Sequence, residues 1–254
     1  MDLIKLTPEN LETEHICCAI ASEKDCQVKS KKAWLKKRLD DGLVFLKGNV
    51  RGKCFIEYIP AEAAWLPVNA PGYMFIDCLW VSGQYKGHGY SDLLLNECIR
   101  DAKEKGKLGL AVLTSVKKKM GFLADPKYLA YKGFVKADTC EPYFELMYLP
   151  FNDNETAVPE FNTKDMSSTA SQSGFTVYYT NQCPFTAKYV PLLEAQAIQK
   201  GAPIQIIHID SLTKAQTAPC PFTAFSLYYN GQFITHEIQS EKKFEKILAE
   251  KGYI

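Results

Sequence analysis

A glycine-containing turn, Gln84-Tyr85-Lys86-Gly87-His88-Gly89-Tyr90-Ser91, separates an apolar strand pattern from an apolar helix pattern. The strand pattern covers Tyr73–Val81, and after the turn apolar residues recur at helical spacing until Gly106 ends the helix. Glycines leave backbone N–H groups open to a ligand, and the N-terminus of the following helix adds unpaired donors and a positive dipole. The turn therefore predicts a site for a phosphate group.

The composition is that of an ordinary folded protein, with 46% hydrophobic and 23% charged residues among 254. The formal net charge of +1 excludes a broad basic surface, so we expect no nucleic-acid partner. There is no run of about 18 apolar residues, and the first residues lack the apolar core of a secretion signal. We expect a cytoplasmic protein with no membrane partner.

The length favours two domains of ordinary size. Between residues 149 and 174 the chain is polar and rich in small residues, and it has too few large apolar groups to offset the entropy of ordering. We therefore predict a first domain at residues 1–150, a linker at 151–173 and a second domain at 174–254.

The first domain shows an α+β pattern. In chain order, the sequence predicts a strand at 3–6, helices at 8–21 and 29–41, strands at 43–47, 53–60 and 73–81, the helix after the turn, a strand at 108–114, a short helix at 125–132, and strands at 134–137 and 143–149.

This order of elements, together with the turn, resembles the GNAT family of N-acetyltransferases over essentially all of residues 1–150. The family signature is a strand, then Gln/Arg-x-x-Gly-x-Gly/Ala, then a helix. Two registers fit it, Gln84-x-x-Gly87-x-Gly89 and Lys86-x-x-Gly89-x-Ser91. The second aligns better with the strand end at Val81, but it has Lys and Ser in place of the usual residues. Gly133 and Phe134 stand where the family commonly ends a later helix in Gly-Phe.

The resemblance implies a central mixed sheet with flanking helices, and acetyl-coenzyme A as co-substrate. Strands 73–81 and 108–114 would splay apart around the pantetheine arm, and an amine of a small molecule or peptide would attack the thioester directly. The residues implied in binding acetyl-coenzyme A are Leu79, Trp80, Val81, Gln84, Tyr85, Lys86, Gly87, His88, Gly89, Tyr90 and Ser91.

Direct attack requires a base, because an amine is mostly protonated at neutral pH. Asp77 and Glu57 are candidates from their positions on strands. The family often protonates the leaving thiolate with a Tyr four residues before the Gly of Gly-Phe, and here that position is Leu129. Tyr128 and Tyr131 flank it and are the candidate acids.

The second domain shows a βαβ-ββα order: a strand at 175–180, a helix at 184–200, strands at 204–210, 222–229 and 232–238, and a helix at 241–251. Asn230-Gly231 between two apolar runs predicts a hairpin. This order resembles the thioredoxin fold, and the two-domain layout is similar to that of acetyltransferases with a YoaP-like C-terminal domain.

The nine cysteines lack paired Cys-x-x-Cys spacing, so we predict no metal site. The pentapeptide Cys-Pro-Phe-Thr-Ala, however, occurs at both 183–187 and 220–224. Cys183 precedes a helix, where the dipole lowers a thiol pKa. The thioredoxin-like pattern places Pro221 where that fold has a cis-proline beside the active cysteine. We hypothesise that Cys183 and Cys220 share a thiol site or a reversible disulfide.

Three functions remain open from the sequence. The first is an N-acetyltransferase, and the second is a thiol-redox protein that uses Cys183 and Cys220 with a first domain that senses coenzyme A. The third is a non-catalytic binding module, because the family Tyr and the second Cys of a dithiol motif, here Thr186, are both missing. A further hypothesis is that the second domain covers the acceptor side and makes catalysis sensitive to redox state.

Overall fold

The computed structural model of the chain describes residues 1–16, 18, 22–152, 157–162 and 173–254. Two larger sheets dominate it, one in the N-terminal region (residues 1–152) and one in the C-terminal region (residues 173–254). Among the described residues, no helix combines the length and apolar character that crossing a bilayer requires.

The helices and strands before the C-terminal region follow in chain order: β1 (Leu3–Lys5), α1 (Cys26–Leu39), β2 (Val44–Gly48), β3 (Cys54–Pro60), β4 (Val68–Asn69), β5 (Tyr73–Val81), α2 (Tyr90–Glu104), β6 (Gly109–Ser115), α3 (Pro126–Tyr131), β7 (Val135–Cys140), β8 (Phe144–Pro150) and β9 (Glu160–Phe161). Seven of these strands form one sheet in the order β1-β2-β3-β5-β6-β8-β7. In this sheet β5 and β6 pair in parallel, and the other neighbours are antiparallel. The predicted α+β class with a central mixed sheet is confirmed.

The two faces of this sheet are covered differently. Leu94, Leu95 and Cys98 of α2 pack on one face. On the other face, Trp34 and Leu35 of α1 belong to a buried cluster. Asp25 starts α1 by accepting a hydrogen bond from the Gln27 amide at 2.8 Å, as an N-cap residue does. This second face is the one that the C-terminal region covers, since Cys220, Phe222 and Phe233 join the same cluster.

The C-terminal region contains β10 (Phe175–Tyr179), α4 (Phe185–Gln199), β11 (Ile204–His208), α5 (Leu212–Gln216), β12 (Phe225–Tyr229), β13 (Gln232–Thr235) and α6 (Glu241–Glu250). Its sheet has the order β11-β10-β12-β13, with β10 and β11 parallel and the other pairs antiparallel. Asn230 and Gly231 join β12 to β13 with φ values of 49° and 76°, which is the positive-φ pair of a type I′ hairpin. The expected βαβ-ββα order is present.

A buried histidine connects the two regions. His236 is fully buried, and its Nε2 lies 2.8 Å from the Gly121 carbonyl oxygen. Because a carbonyl only accepts, Nε2 carries the proton, and Nδ1 of the neutral ring accepts from the Tyr143 hydroxyl at 2.7 Å. Burial lowers the pKa of His236, which keeps the ring neutral. The C-terminal region is thus hydrogen-bonded to two separate segments of the N-terminal region.

Two expectations about local structure were wrong. Residues 8–14 form turns rather than the start of a helix, because the Asn10 carboxamide accepts from the Thr7 amide at 2.9 Å and donates to the Lys5 carbonyl at 3.0 Å. Residues 17 and 19–21 of that expected helix lie outside the described residues. The linker at 151–173 also contains β9, which pairs with β4 and buries Phe161 in the core. Residues 153–156 and 163–172 lie outside the described residues.

Replacing the connecting histidine tests how strongly the two regions are joined. His236→Ala removes two buried hydrogen bonds and leaves a space, so we expect the protein to lose about 2–3 kcal/mol of unfolding free energy. Thermal unfolding followed by circular dichroism measures this loss as a fall in Tm of several degrees. His208→Ala, on the exposed end of β11, is the matched control and should change Tm little. Equal shifts in the two variants would contradict this account.

Candidate functional site

Strands β5 and β6 pair at one end and separate at the other. Their register runs from Tyr73 opposite Gly109 to Ile76 opposite Val112, and there the pairing ends. Both strands continue, β5 to Val81 and β6 to Ser115. The register between β3 and β5 also shifts at this point, so that Asp77 is the extra residue of a bulge. Beyond Ile76, the β6-facing edge of β5 is therefore open.

The glycine turn lies at the open end of β5. Gly87 and Gly89 have φ values of 79° and 72°, a left-handed conformation that favours glycine. Gly89 is also the N-cap of α2, and its carbonyl accepts from the amides of Asp92 and Leu93 at 3.1 and 3.0 Å. Within the described part of the chain, the five preceding amides, at residues 87–91, have no hydrogen-bond partner. Five successive unpaired donors at a helix N-terminus are an arrangement that suits an anion.

The side chains of the turn leave this row of amides open to solvent. Lys86 and His88 are exposed, and the His88 ring stacks on Tyr90 with centroids 5.6 Å apart. The Gln84 amide instead donates to the Tyr85 hydroxyl at 3.1 Å. Lys86 is therefore the free basic side chain next to the five amides. The structure brings together the turn and the end of β5, where Leu79, Trp80 and Val81 were expected to contribute.

A cavity of about 370 Å³ lies between the N-terminal sheet and the C-terminal region. Residues 76–80 of β5 line it, so it reaches the open edge of that strand. Its opposite wall consists of residues 182–185 and 221–224, which are the two copies of the repeated pentapeptide and their flanks. A cavity of this volume is in the range of small-molecule sites.

A buried ion pair lies at the base of the cavity. Lys31 Nζ donates to the two carboxylate oxygens of Glu57 at 2.5 and 2.8 Å, and to the backbone oxygen of Gln182 at 2.7 Å. Lys31 and Glu57 are each about 1% exposed. Burial is the largest single influence and lowers the pKa of Lys31, but the electrostatic interactions with Glu57, Cys18 and Asp77 and the hydrogen bond to Glu57 together raise it overall. Lys31 is therefore charged, and the Glu57 carboxylate is its ion-pair partner.

Asp77 is the carboxyl of the cavity lining whose pKa is raised. Burial, and then the negative charge of Glu57, raise the pKa of Asp77 to about 8. Lys31, Arg38 and the side chain of Gln182 act in the opposite direction. A carboxyl with a pKa near the working pH exchanges protons readily, which is the property of a general base.

The candidate acids Tyr128 and Tyr131 lie elsewhere. The Tyr128 hydroxyl donates to Asp92 Oδ1 at 3.0 Å in the first turn of α2, and burial raises its pKa. Tyr131 is 81% exposed, and its ring lies 4.8 Å from the Lys132 ammonium. Neither side chain lines the cavity, and Leu129 between them is buried in the core under α2. The role of either Tyr as an acid stays a prediction.

The thiol-site expectations do not match the structure. Cys183 and Cys220 are both free thiols. Cys183 lines the cavity with Cys18 and Cys78, whereas Cys220 is buried beside Cys140. The expected fall in the pKa of Cys183 was wrong, because burial outweighs the helix N-terminus and raises it to about 11.

The expected cis-proline was also wrong. Among the described residues the cis peptide bond precedes Pro142, not Pro221. Pro221 lines the cavity without the backbone geometry that the thioredoxin-like pattern implied.

Three important residues of the site were not recognised from the sequence. Lys31 repeats with Trp34, Leu35 and Arg38 at helical spacing, so its place on the buried face of α1 was open to detection. Gln182 and Phe122 carry no such signal, because only the packing of the two regions brings them to the cavity.

Comparison with known sequences agrees with this geometry. The family model described as acetyltransferase (GNAT) family matches residues 9–124, and the one described as YoaP-like matches residues 203–246. The chain is 43% identical over 249 residues to a Bacillus subtilis (strain 168) protein named uncharacterized N-acetyltransferase YoaP, with 98% of each chain covered.

Solved structures resemble part of the chain. A PaiA N-acetyltransferase from Thermoplasma acidophilum, in complex with coenzyme A, is 18% identical, with a TM-score of 0.42. A ribosomal-protein-alanine N-acetyltransferase from Brucella melitensis is 17% identical, with a TM-score of 0.44. Each alignment covers 59% of this chain and 100% of the other.

Because the folded-state pKa of Asp77 is raised above its unfolded value, its contribution to stability is complete at low pH and is lost as the pH rises through about 8. Asp77→Asn removes the ionisable group, and with it the loss of stability at high pH. At pH 9 we expect the unliganded variant to be more stable than the parent by about 1 kcal/mol or more, a gain of about 2–4 °C in Tm per kcal/mol. Near pH 4 the difference should vanish. Glu245→Gln, which replaces an exposed carboxylate on α6, is the control, and a gain independent of pH would refute the assignment.

Proposed function

The chain belongs to the GNAT family of acetyltransferases, and from this premise we propose that it is an N-acetyltransferase that transfers acetyl from acetyl-coenzyme A directly to an amine. The acceptor is the amine of a small molecule or peptide. The observation that carries the proposal is the row of five free amides at residues 87–91, placed at the open end of β5.

The free amides suit the diphosphate of acetyl-coenzyme A, because each N–H can donate to a phosphate oxygen and the dipole of α2 adds positive potential. Lys86 supplies a point charge at the same place, which supports the register Lys86-x-x-Gly89-x-Ser91. The open edge of β5 at Leu79, Trp80 and Val81 offers backbone groups for the amides of the pantetheine arm. The thioester would then lie where β5 meets the cavity.

The cavity provides the place for the amine. In the reaction, the amine nitrogen forms a C–N bond to the acetyl carbon as the C–S bond breaks, and the coenzyme A sulfur leaves as a thiolate that takes a proton from water. Asp77, which is ionised above a pH of about 8, accepts the proton that the nitrogen loses as it attacks. Holding both reactants in one enclosed site supplies much of the rate.

The thiol-redox alternative is not favoured. The raised pKa of Cys183 keeps it as a thiol near neutral pH, and Cys220 lies in a different cluster. We interpret the C-terminal region as a second domain of thioredoxin-like topology that serves as a wall of the acceptor site. The cytoplasmic location and the boundaries of the two domains stay predictions.

A substitution at the turn tests coenzyme A binding. Gly89→Ala places a side chain at a positive φ beside the five amides, so we expect the affinity for acetyl-coenzyme A to fall about tenfold or more, measured by isothermal calorimetry. Gly106→Ala is a close match, because Gly106 has a φ of 66° at the other end of α2 and, like Gly89, has open space where a Cβ would lie, with nothing within 4 Å. It should lose similar stability without losing affinity. Equal affinities in the two variants would exclude the turn as the binding site.

Release of coenzyme A thiol across a panel of amines tests catalysis. Trifluoroethylamine, a weakly basic amine, keeps the substrate from titrating in the relevant range. With it, we expect kcat/KM to rise with pH through about 8 as Asp77 ionises. Asp77→Asn should lose about 10²-fold or more in kcat and also lose that rise, while binding acetyl-coenzyme A normally. If Asp77→Asn keeps the pH profile, the base is another group, and if no amine gives thiol release, the proposed function is wrong.

A further inference from the structure

The cavity is closed by both regions of the chain rather than by the N-terminal sheet alone. Asp77 and Trp80 face it from β5, and Phe185 and Phe222 face it from the C-terminal region. An acceptor bound next to Asp77 is thus surrounded on two sides by different parts of the protein.

The C-terminal wall is held firmly in place. Lys31 donates to the Gln182 carbonyl, Thr223 donates to the Trp65 carbonyl, and His236 bonds to Gly121. These three connections lie at separate points around the cavity and include both segments of the C-terminal wall. The volume of the cavity is therefore a property of the folded chain, and it limits how much of an acceptor lies inside.

An aromatic cluster lines one end of the cavity. The Phe122 ring lies 6.5 Å from Phe185 and 6.4 Å from Phe222, measured between centroids. Phe122 is 43% exposed and has a φ of 64°, a conformation that is unfavourable for a bulky residue. Such strain is found where a side chain contributes to a ligand site. Three apolar rings at one end favour an apolar, ring-bearing ligand.

In the described part of the chain, the cavity lining leaves one carboxyl, Asp77, without an ion-pair partner, although the Gln182 side chain hydrogen-bonds to it. Among the described lining residues, the ionisable groups besides thiols are Lys31, Glu57, Asp77 and Lys119. Lys31 and Glu57 form an ion pair, and Lys119 is exposed. Burial raises the pKa of the thiols of Cys18, Cys78 and Cys183, so they are uncharged. Arg38 acts on Asp77 from a distance, but it is itself paired with Asp41.

We propose that the acceptor is a small monoamine with an apolar aromatic body, held with its amine at Asp77 and its ring among Phe122, Phe185 and Phe222. This inference rests on the proposed N-acetyltransferase function. One ammonium group matches Asp77, the lining carboxyl that has no ion-pair partner among the described residues. A second cation, or a carboxylate next to the amine, would be buried without a partner at a cost of several kcal/mol. A peptide longer than the cavity of about 370 Å³ would have to extend out of it.

The test is an acceptor panel on the full-length protein with acetyl-coenzyme A in excess. 2-Phenylethylamine represents the proposed class, and phenylalanine differs from it by one carboxylate. Butylamine and 1,4-diaminobutane differ by one cation, and an alanine tetrapeptide amide represents peptides. We expect kcat/KM to be at least about tenfold higher for 2-phenylethylamine than for phenylalanine and the peptide, and for butylamine than for the diamine.

A variant of the aromatic cluster links the preference to the cavity. Phe122→Ala should raise KM for 2-phenylethylamine about 3–10-fold, with kcat and the KM for acetyl-coenzyme A within about twofold of the parent. The effect on butylamine should be smaller, because it has no ring. Phe122→Leu should restore part of the loss. Val135→Ala, at an exposed apolar residue of β7 outside the cavity lining, is the control and should change neither constant.

The outcomes separate this inference from the function on which it rests. Thiol release that is fastest with the peptide, the diamine or phenylalanine would overturn the acceptor class and leave the acetyltransferase function standing. Equal KM values for 2-phenylethylamine in Phe122→Ala and Val135→Ala would overturn the aromatic site. The absence of thiol release with every amine would overturn both proposals.

Discussion

The ion pair between Lys31 and Glu57 is the interaction on which the rest of the site depends. It connects α1 to β3, and through the Gln182 carbonyl it connects both to the C-terminal region. Two ions withdrawn from water are stable together only when their remaining hydrogen-bonding positions are filled, and the Gln182 oxygen fills one of them. The same carboxylate helps to raise the pKa of Asp77. Glu57 therefore contributes both to the contact between the two regions and to the raised pKa of Asp77.

The regular pairing of β5 with its neighbours is interrupted at the site. Strands β5 and β6 separate after Ile76 and Val112, and the Asp77 bulge lies where they part. An open strand edge is normally a hazard, because its unpaired groups invite other strands. Here the edge ends at the glycine turn and borders the cavity, where the C-terminal region shields it. The C-terminal region thus shields the open edge of β5, which the N-terminal region needs for its proposed chemistry.

Local patterns predicted most elements correctly, since β5 agrees residue for residue and the Asn-Gly hairpin has the expected geometry. They failed where a side chain or a distant segment competed with the pattern. The Asn10 side chain stabilises turns where a helix was expected, and β9, which lies within the expected linker, pairs with β4. For Cys183, the sequence indicated a lowered pKa from the helix, but the packing of the two regions buried the thiol and reversed the direction.

The sequence by itself determined the strand, glycine turn and helix of the anion site, because glycine conformations and helix-end donors are local properties. It also determined the family, through the order of elements around that turn. Only the tertiary structure decided which ionisable groups meet at the cavity. Lys31, Glu57 and Asp77, and the Gln182 carbonyl that accepts from Lys31, come from four separate segments. The pKa values of Lys31 and Asp77 depend on burial and on the distances between these groups. Those quantities exist only once the C-terminal region has packed against the open face of the sheet.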